Sequence, residues 1–203
     1  MTPIRFEESK VNREKVIIKR LMDIRKAEVE FKEQKGRYTA SFDTLVNFIM
    51  NSKKKIVLKE GTLTDKQLEA GLTETIAVKI VQKGNLEEIV ANGLQGFVRD
   101  TAYVNMLQAI FQTDYSIETI EQLSIIPFSN KEKFEIKVKN DYVNANGSKI
   151  PLMEVSAHYK AYLFDLDHQE LVNAIDMQEQ LFRFPGLKVG SVEEPNNNAG
   201  NWE

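Results

Sequence analysis

Ile17 to Tyr38 reads IIKRLMDIRKAEVEFKEQKGRY, and the rest of the chain is organised around it. Ile17, Leu21, Ile24 and Phe31 recur at helical spacing and share one face. Ile18, Met22 and Val29 widen that face. Lys19, Arg20, Asp23, Lys26, Glu30 and Glu33 lie mostly elsewhere and can stay in water. Gly36 follows the last periodic residue, with Lys32 and Lys35 in the turn before it. Glycine suits the left-handed end of a helix, and lysines suit the negative end of its dipole.

Upstream, Glu7 to Lys15 reads EESKVNREK, with Val11 its only apolar residue. Such a stretch forms helix readily but has no face to bury. A helix from about Arg5 to Gln34 would be roughly 45 Å long at 1.5 Å per residue. Residues 1–16 are therefore expected to project as a polar helical stalk, with a single α+β domain over 17–192 and a polar tail over 193–203. Val16, Ile17, Leu21, Ile24 and Phe31 are expected to carry packing, within the domain or between subunits.

The 203 residues can bury a substantial core. A net charge of −3 argues against a general nucleic-acid binder. The chain has no cysteine, which removes disulfides, thiol nucleophiles, iron–sulfur ligation and cysteine–zinc sites together. No stretch approaches the ~20 apolar residues of a membrane span. The expectation is the soluble part of a longer protein, anchored by a segment that precedes this chain and facing the periplasm or the exterior. If the chain is complete, it is cytoplasmic.

Ser41 is a plausible cap for a helix from Phe42 to Met50, burying Phe42, Leu45, Val46 and Ile49. Asn51 to Lys55 reads as a polar, basic break before a short strand or connector, Ile56-Val57-Leu58. Thr64 to Gln67 forms a capping box, and further helical pieces are read at 74–82 and 85–93. Residues 97–111 suit helix or a mixture with strand. Phe134, Ile136 and Val138 alternate with polar residues as in a half-buried strand. Asn146-Gly147 marks the turn, and 149–157 returns. Tyr159 to Phe164 is a candidate extension of that sheet. Asp167 caps a helix whose face is Leu171, Val172, Ile175 and Phe182, and 187–192 is a last strand. The tail has the composition of disorder, but its Trp202 suggests docking.

Recognisable chemistry is sparse. His158 and His168 are the only histidines, and no paired metal motif contains them. Asn140 to Gly147 (NDYVNANG) has part of the spacing of a calcium loop. It fails at the first position, Tyr142, and at the twelfth, Met153, so a hairpin turn is the better reading. Lys53-Lys54-Lys55 reads as a solvated loop before an anion site. Asn146-Gly147-Ser148 is a formal glycosylation triplet, and Glu87-Glu88 and Glu193-Glu194 are exposed-face pairs. No catalytic, cofactor-binding or metal residue is assigned.

The run from Leu21 to Ala27, then Phe31, Gly36-Arg37-Tyr38 and Leu45, resembles the start of the soluble part of type IV pilins and type II secretion pseudopilins. The resemblance covers residues 17–45. It implies a membrane helix continuing into an amphipathic half that packs on a small antiparallel sheet. The apolar first half and its membrane glutamate are absent here, and the middle region is longer and more helical than in a minor pilin. The ending GLKVGSVEEPNNNAGNWE is also similar to uncharacterised single-span envelope proteins of gut bacteria.

The fold expected is α+β: a long N-terminal amphipathic helix, a helical middle region and a C-terminal antiparallel sheet with a covering helix. The function expected is a non-enzymatic, pilin-like structural or assembly role in the bacterial cell envelope. Protein partners or self-assembly would act through the N-terminal helix, with no nucleic acid and no cofactor. The alternative is a soluble cytoplasmic ligand-binding or adaptor module.

Overall fold

Helix α1 runs from Pro3 to Lys35. Proline is tolerated in the first turn, where its missing N–H would have had no partner. At the other end Gly36 adopts φ 73° and returns its N–H to the Lys32 carbonyl at 2.7 Å. A computed structural model describes residues 2–203. The chain divides into two units, residues 1–52 with 106–203, and residues 53–105. The expected single domain over 17–192 is thus interrupted by an insertion.

In the first unit, α1 buries Ile17, Leu21, Ile24, Ala27 and Phe31 in one core. Helix α2, Phe42–Asn51, is capped by the Ser41 side chain and adds Leu45, Phe48 and Ile49. The Phe31 and Phe48 rings meet edge to face at 5.0 Å. The chain then leaves through Ser52 and re-enters at Met106. The Met106 amide donates to the Ser52 carbonyl at 2.9 Å, so the two ends of the insertion are tied within the first unit.

The insertion is a two-stranded antiparallel ribbon with three short helices. Strand β1, Lys53–Glu60, leads to α3 (Asp65–Glu69), α4 (Glu74–Lys83) and α5 (Leu86–Ala91), and β2 (Val98–Asn105) pairs back along β1 from Lys53↔Asn105 to Glu60↔Val98. Leu72, Ala77, Ile80, Leu94 and Phe97 form its small core. The middle region is therefore mixed rather than helical. Lys53 to Lys55 lie in β1 and not in a break; β1 has β2 on one side only, and lysines are common on such edge strands.

After α6 (Met106–Phe111) and a 3-10 turn (Ile120–Ser124), the first unit completes its sheet. Strands β3 (Glu135–Val143), β4 (Lys149–His158) and β5 (Gly186–Gly190) are antiparallel in the order β3-β4-β5. Helix α1 packs on β4 and β5. Gly190, at φ 77°, lets the chain turn against the Met153 carbonyl, where a side chain would collide.

Tyr159 to Phe164 does not extend the sheet. Residues Tyr159–Tyr162 form a helical turn, α7, capped by His158. The capped helix α8, His168–Gln180, follows, with the Asp167 side chain accepting the amides of Gln169 and Glu170. Leu171 and Ile175 are buried in the core. Phe182, expected on the same face, is 100% exposed. The helix stops at Gln180, so Phe182 leaves the periodic track before reaching the core.

The tail is docked. Gly200 bridges to Val189, the Asn201 amide donates to the Lys188 carbonyl at 2.9 Å, and Trp202 packs against the core.

Candidate functional site

The first turns of α1 do not stand clear of the body. Phe6 is 3% exposed and belongs to the main core. One turn on, Lys10 lies 5.4 Å over the Tyr159 ring. Arg13 donates to the Tyr162 carbonyl at 2.6 Å and bridges both oxygens of Asp165, at 2.5 and 2.8 Å. This bidentate bond holds the Asp165 carboxyl below its usual range. The Tyr162 hydroxyl donates to Glu14 at 3.3 Å. Burial pushes the Glu14 carboxyl up, against the opposing pull of Lys10 and Tyr162. The expected stalk over 1–16 is thus corrected: its polar residues make specific bonds to the α7 segment, which a sequence rule based on apolar periodicity cannot see.

Two further arginines on α1 repeat the device. Arg20 donates to the Gln122 carbonyl in the 3-10 turn. Arg25 donates to the Asn198 carbonyl at 3.0 Å and to Glu203 at 2.9 Å. Helix α1 therefore holds three separate segments: the α7 turn, the 3-10 turn and the tail. Its opposite side carries Ile4 and Val11, exposed at 74 and 40%, and Val16, on a different side of the helix, is exposed at 44%. Ile4 and Val11 are two helical turns apart and lie in one shallow cleft with Glu7, Glu8 and Asn12. Of the residues expected to pack, Ile17, Leu21, Ile24 and Phe31 are in the core, and Val16 is on the surface.

The Gly36-Arg37-Tyr38 turn is fixed by a pair of bonds to β3. The Tyr38 amide donates to the Asn140 side-chain oxygen at 3.0 Å, and the Asn140 side-chain nitrogen donates to the Tyr38 carbonyl at 3.2 Å. The Tyr38 hydroxyl accepts from Asn198 at 3.0 Å. Beneath this turn Glu28 is fully buried. It accepts the Thr39 amide through Oε2 at 3.1 Å. Burial pushes its carboxyl up to about 8, against the Thr39 bond. This acid keeps step with Leu21, Ile24 and Phe31 on the buried face of α1, where the returning Thr39 segment supplies its one hydrogen bond.

The remaining sequence candidates have ordinary structural roles. His158 caps α7, its Nδ1 accepting the Lys160 amide at 3.1 Å, and burial followed by the Lys160 charge lowers its pKa. His168 begins α8 and is exposed. Asn144 accepts the amides of Asn146 and Ser148 through its side chain, so the second half of NDYVNANG is the hairpin turn between β3 and β4 and the first half ends β3. Among the described residues no group of three or more acidic or histidine side chains is placed to hold a metal ion. No described helix is long and apolar enough to cross a membrane. No family model, curated protein or solved structure matches this chain.

Proposed function

We propose that this chain is a non-enzymatic structural subunit of the bacterial cell envelope, pilin-like in organisation, which assembles with copies or protein partners through α1. The observation that carries the reading is the packing of a 33-residue N-terminal helix on β4 and β5 of a three-stranded antiparallel sheet, with Ile4 and Val11 left exposed on its outward side. The arginine bonds to three distant segments support it further. They make α1 a rigid spine of its unit, so a load on the helix reaches the tail and the sheet. In this reading a membrane-spanning segment outside these residues anchors the protein.

The absence of cysteine from the chain makes the test clean. Val11→Cys and Ile4→Cys place a single thiol on the outward strip, and Lys139→Cys places one on β3 as a control. A bifunctional thiol cross-linker applied to cells producing the protein is expected to join Val11→Cys and Ile4→Cys to a copy or a partner, but not Lys139→Cys. Equal yields from all three positions would remove α1 as the assembly face.

A further inference from the structure

Phe182 is both fully exposed and strained. Its φ is 53°, in the left-handed region. It occupies the position just past the end of α8: its amide donates to the Glu179 carbonyl at 3.0 Å, and the Arg183 amide donates to the Gln178 carbonyl at 2.9 Å. This pair of bonds is the Schellman ending, where glycine is the usual residue. A phenylalanine there strains the backbone and leaves a large apolar side chain in water. Local folding gains from neither. Met177 and Leu181 are exposed beside it, so the helix end presents an apolar knob flanked by Glu179 and Arg183.

The same unit holds a matching recess. Between α2 and the 3-10 turn lies an open cleft of about 460 Å³ lined by Phe42, Val46, Met50 and Ile125. Asp43 and Glu121 stand exposed on its rim, with Lys133 nearby. It shares no residue with the knob.

We propose that the Phe182 knob of one copy docks in the α2 cleft of a second copy. Arg183 would face Asp43 and Glu121, and Glu179 would face Lys133, so the charges complement in both signs. Single buried aromatic anchors commonly dominate such contacts. Because knob and cleft are different surfaces, the contact either repeats head to tail from copy to copy, as a filament or a ring requires, or closes as a reciprocal two-fold dimer. The inference rests on the assembly reading above and names a second contact for it.

The test measures self-association of the full chain by sedimentation velocity over rising concentration. Phe182→Gly supplies the residue that the helix ending favours, so its melting temperature is expected to equal or exceed wild type. Its dissociation constant is expected to rise by at least about 30-fold, the effect of losing an anchor residue. Arg183→Glu is expected to weaken association, and mixing it with Asp43→Lys/Glu121→Lys to restore a complex between the two variants. A wild-type chain that stays monomeric at the highest concentration, or a Phe182→Gly chain that associates like wild type, overturns the proposal. The two readings fail separately. Cross-links at Val11→Cys that persist in a Phe182→Gly background would leave the α1 interface standing without the knob. Association lost in Phe182→Gly but no cross-links at Val11→Cys would leave the knob without the α1 interface.

Discussion

Glu28 accepts the Thr39 amide N–H at 3.1 Å through Oε2, while its Oε1 is buried with no hydrogen-bond partner. A carboxylate so placed favours the protonated form, and its pKa rises to about 8. Unfolded, it would titrate near the ordinary glutamate value of roughly 4.3. Between those limits the folded chain holds a proton that the unfolded chain has lost. Stability from this group is therefore complete below the unfolded value, falls as pH rises by about 1.4 kcal/mol per unit, and levels off above about pH 8. Denaturant unfolding across pH 5 to 9 checks this (other groups add their own slopes, so the comparison is with Glu28→Gln). That variant is expected to lose this part of the slope and, matching wild type near pH 4, to exceed it by roughly 5 kcal/mol at pH 9.

Arg13 joins the first third of α1 to the α7 segment. Arg13→Ala leaves the buried Tyr162 carbonyl without this donor, and is expected to cost about 1–2 kcal/mol. Asp165→Asn is expected to cost less, because Asp165 lies on the surface and water replaces part of the bond. Equilibrium unfolding of both variants gives the order. Equal, negligible losses would mean the first turns of α1 are free of the body.

The two faces of α1 differ in what they contribute. Leu21→Ala removes a fully buried side chain and is expected to cost about 2–5 kcal/mol. Val11→Ala and Val16→Ala are expected to change stability by under about 0.5 kcal/mol, since both residues are on the surface. Thermal unfolding of the three variants separates the core face from the exposed positions of the helix.

The Met106 to Ser52 bond makes the insertion removable. Replacing residues 53–105 with a short glycine-serine link is expected to leave the first unit folded and cooperative, because its core contains no residue from the insertion. Circular dichroism with a single unfolding transition checks this. A molten product would mean that the insertion shapes the main core.

Much of the fold was legible where one short-range rule dominates. The stripe Ile17-Leu21-Ile24-Phe31, the Gly36 stop, the Thr64 and Asp167 caps and the Asn146-Gly147 turn each encode their structure within a few residues. Errors fell where a distant partner or a helix end decides. Phe182 keeps step with Leu171 in the helical period, but the helix has already ended. Tyr159 to Tyr162 is rich in aromatics that suit strands, yet His158 caps a helical turn there. The polar residues Arg13 and Glu14 read as a solvated face because their partners are about 150 positions away. The tail reads as disordered by composition, though its amides complete the edge of β5. No local pattern marked the outward strip or the α2 cleft, since both are defined by what the fold leaves uncovered.

The most direct test of the central claim is fractionation of cells of the natural source, probed for this protein, with the membrane pellet washed in alkaline carbonate. An envelope structural subunit is expected to stay in the washed pellet. A protein of 23.3 kDa recovered whole in the soluble cytosolic fraction would contradict the account.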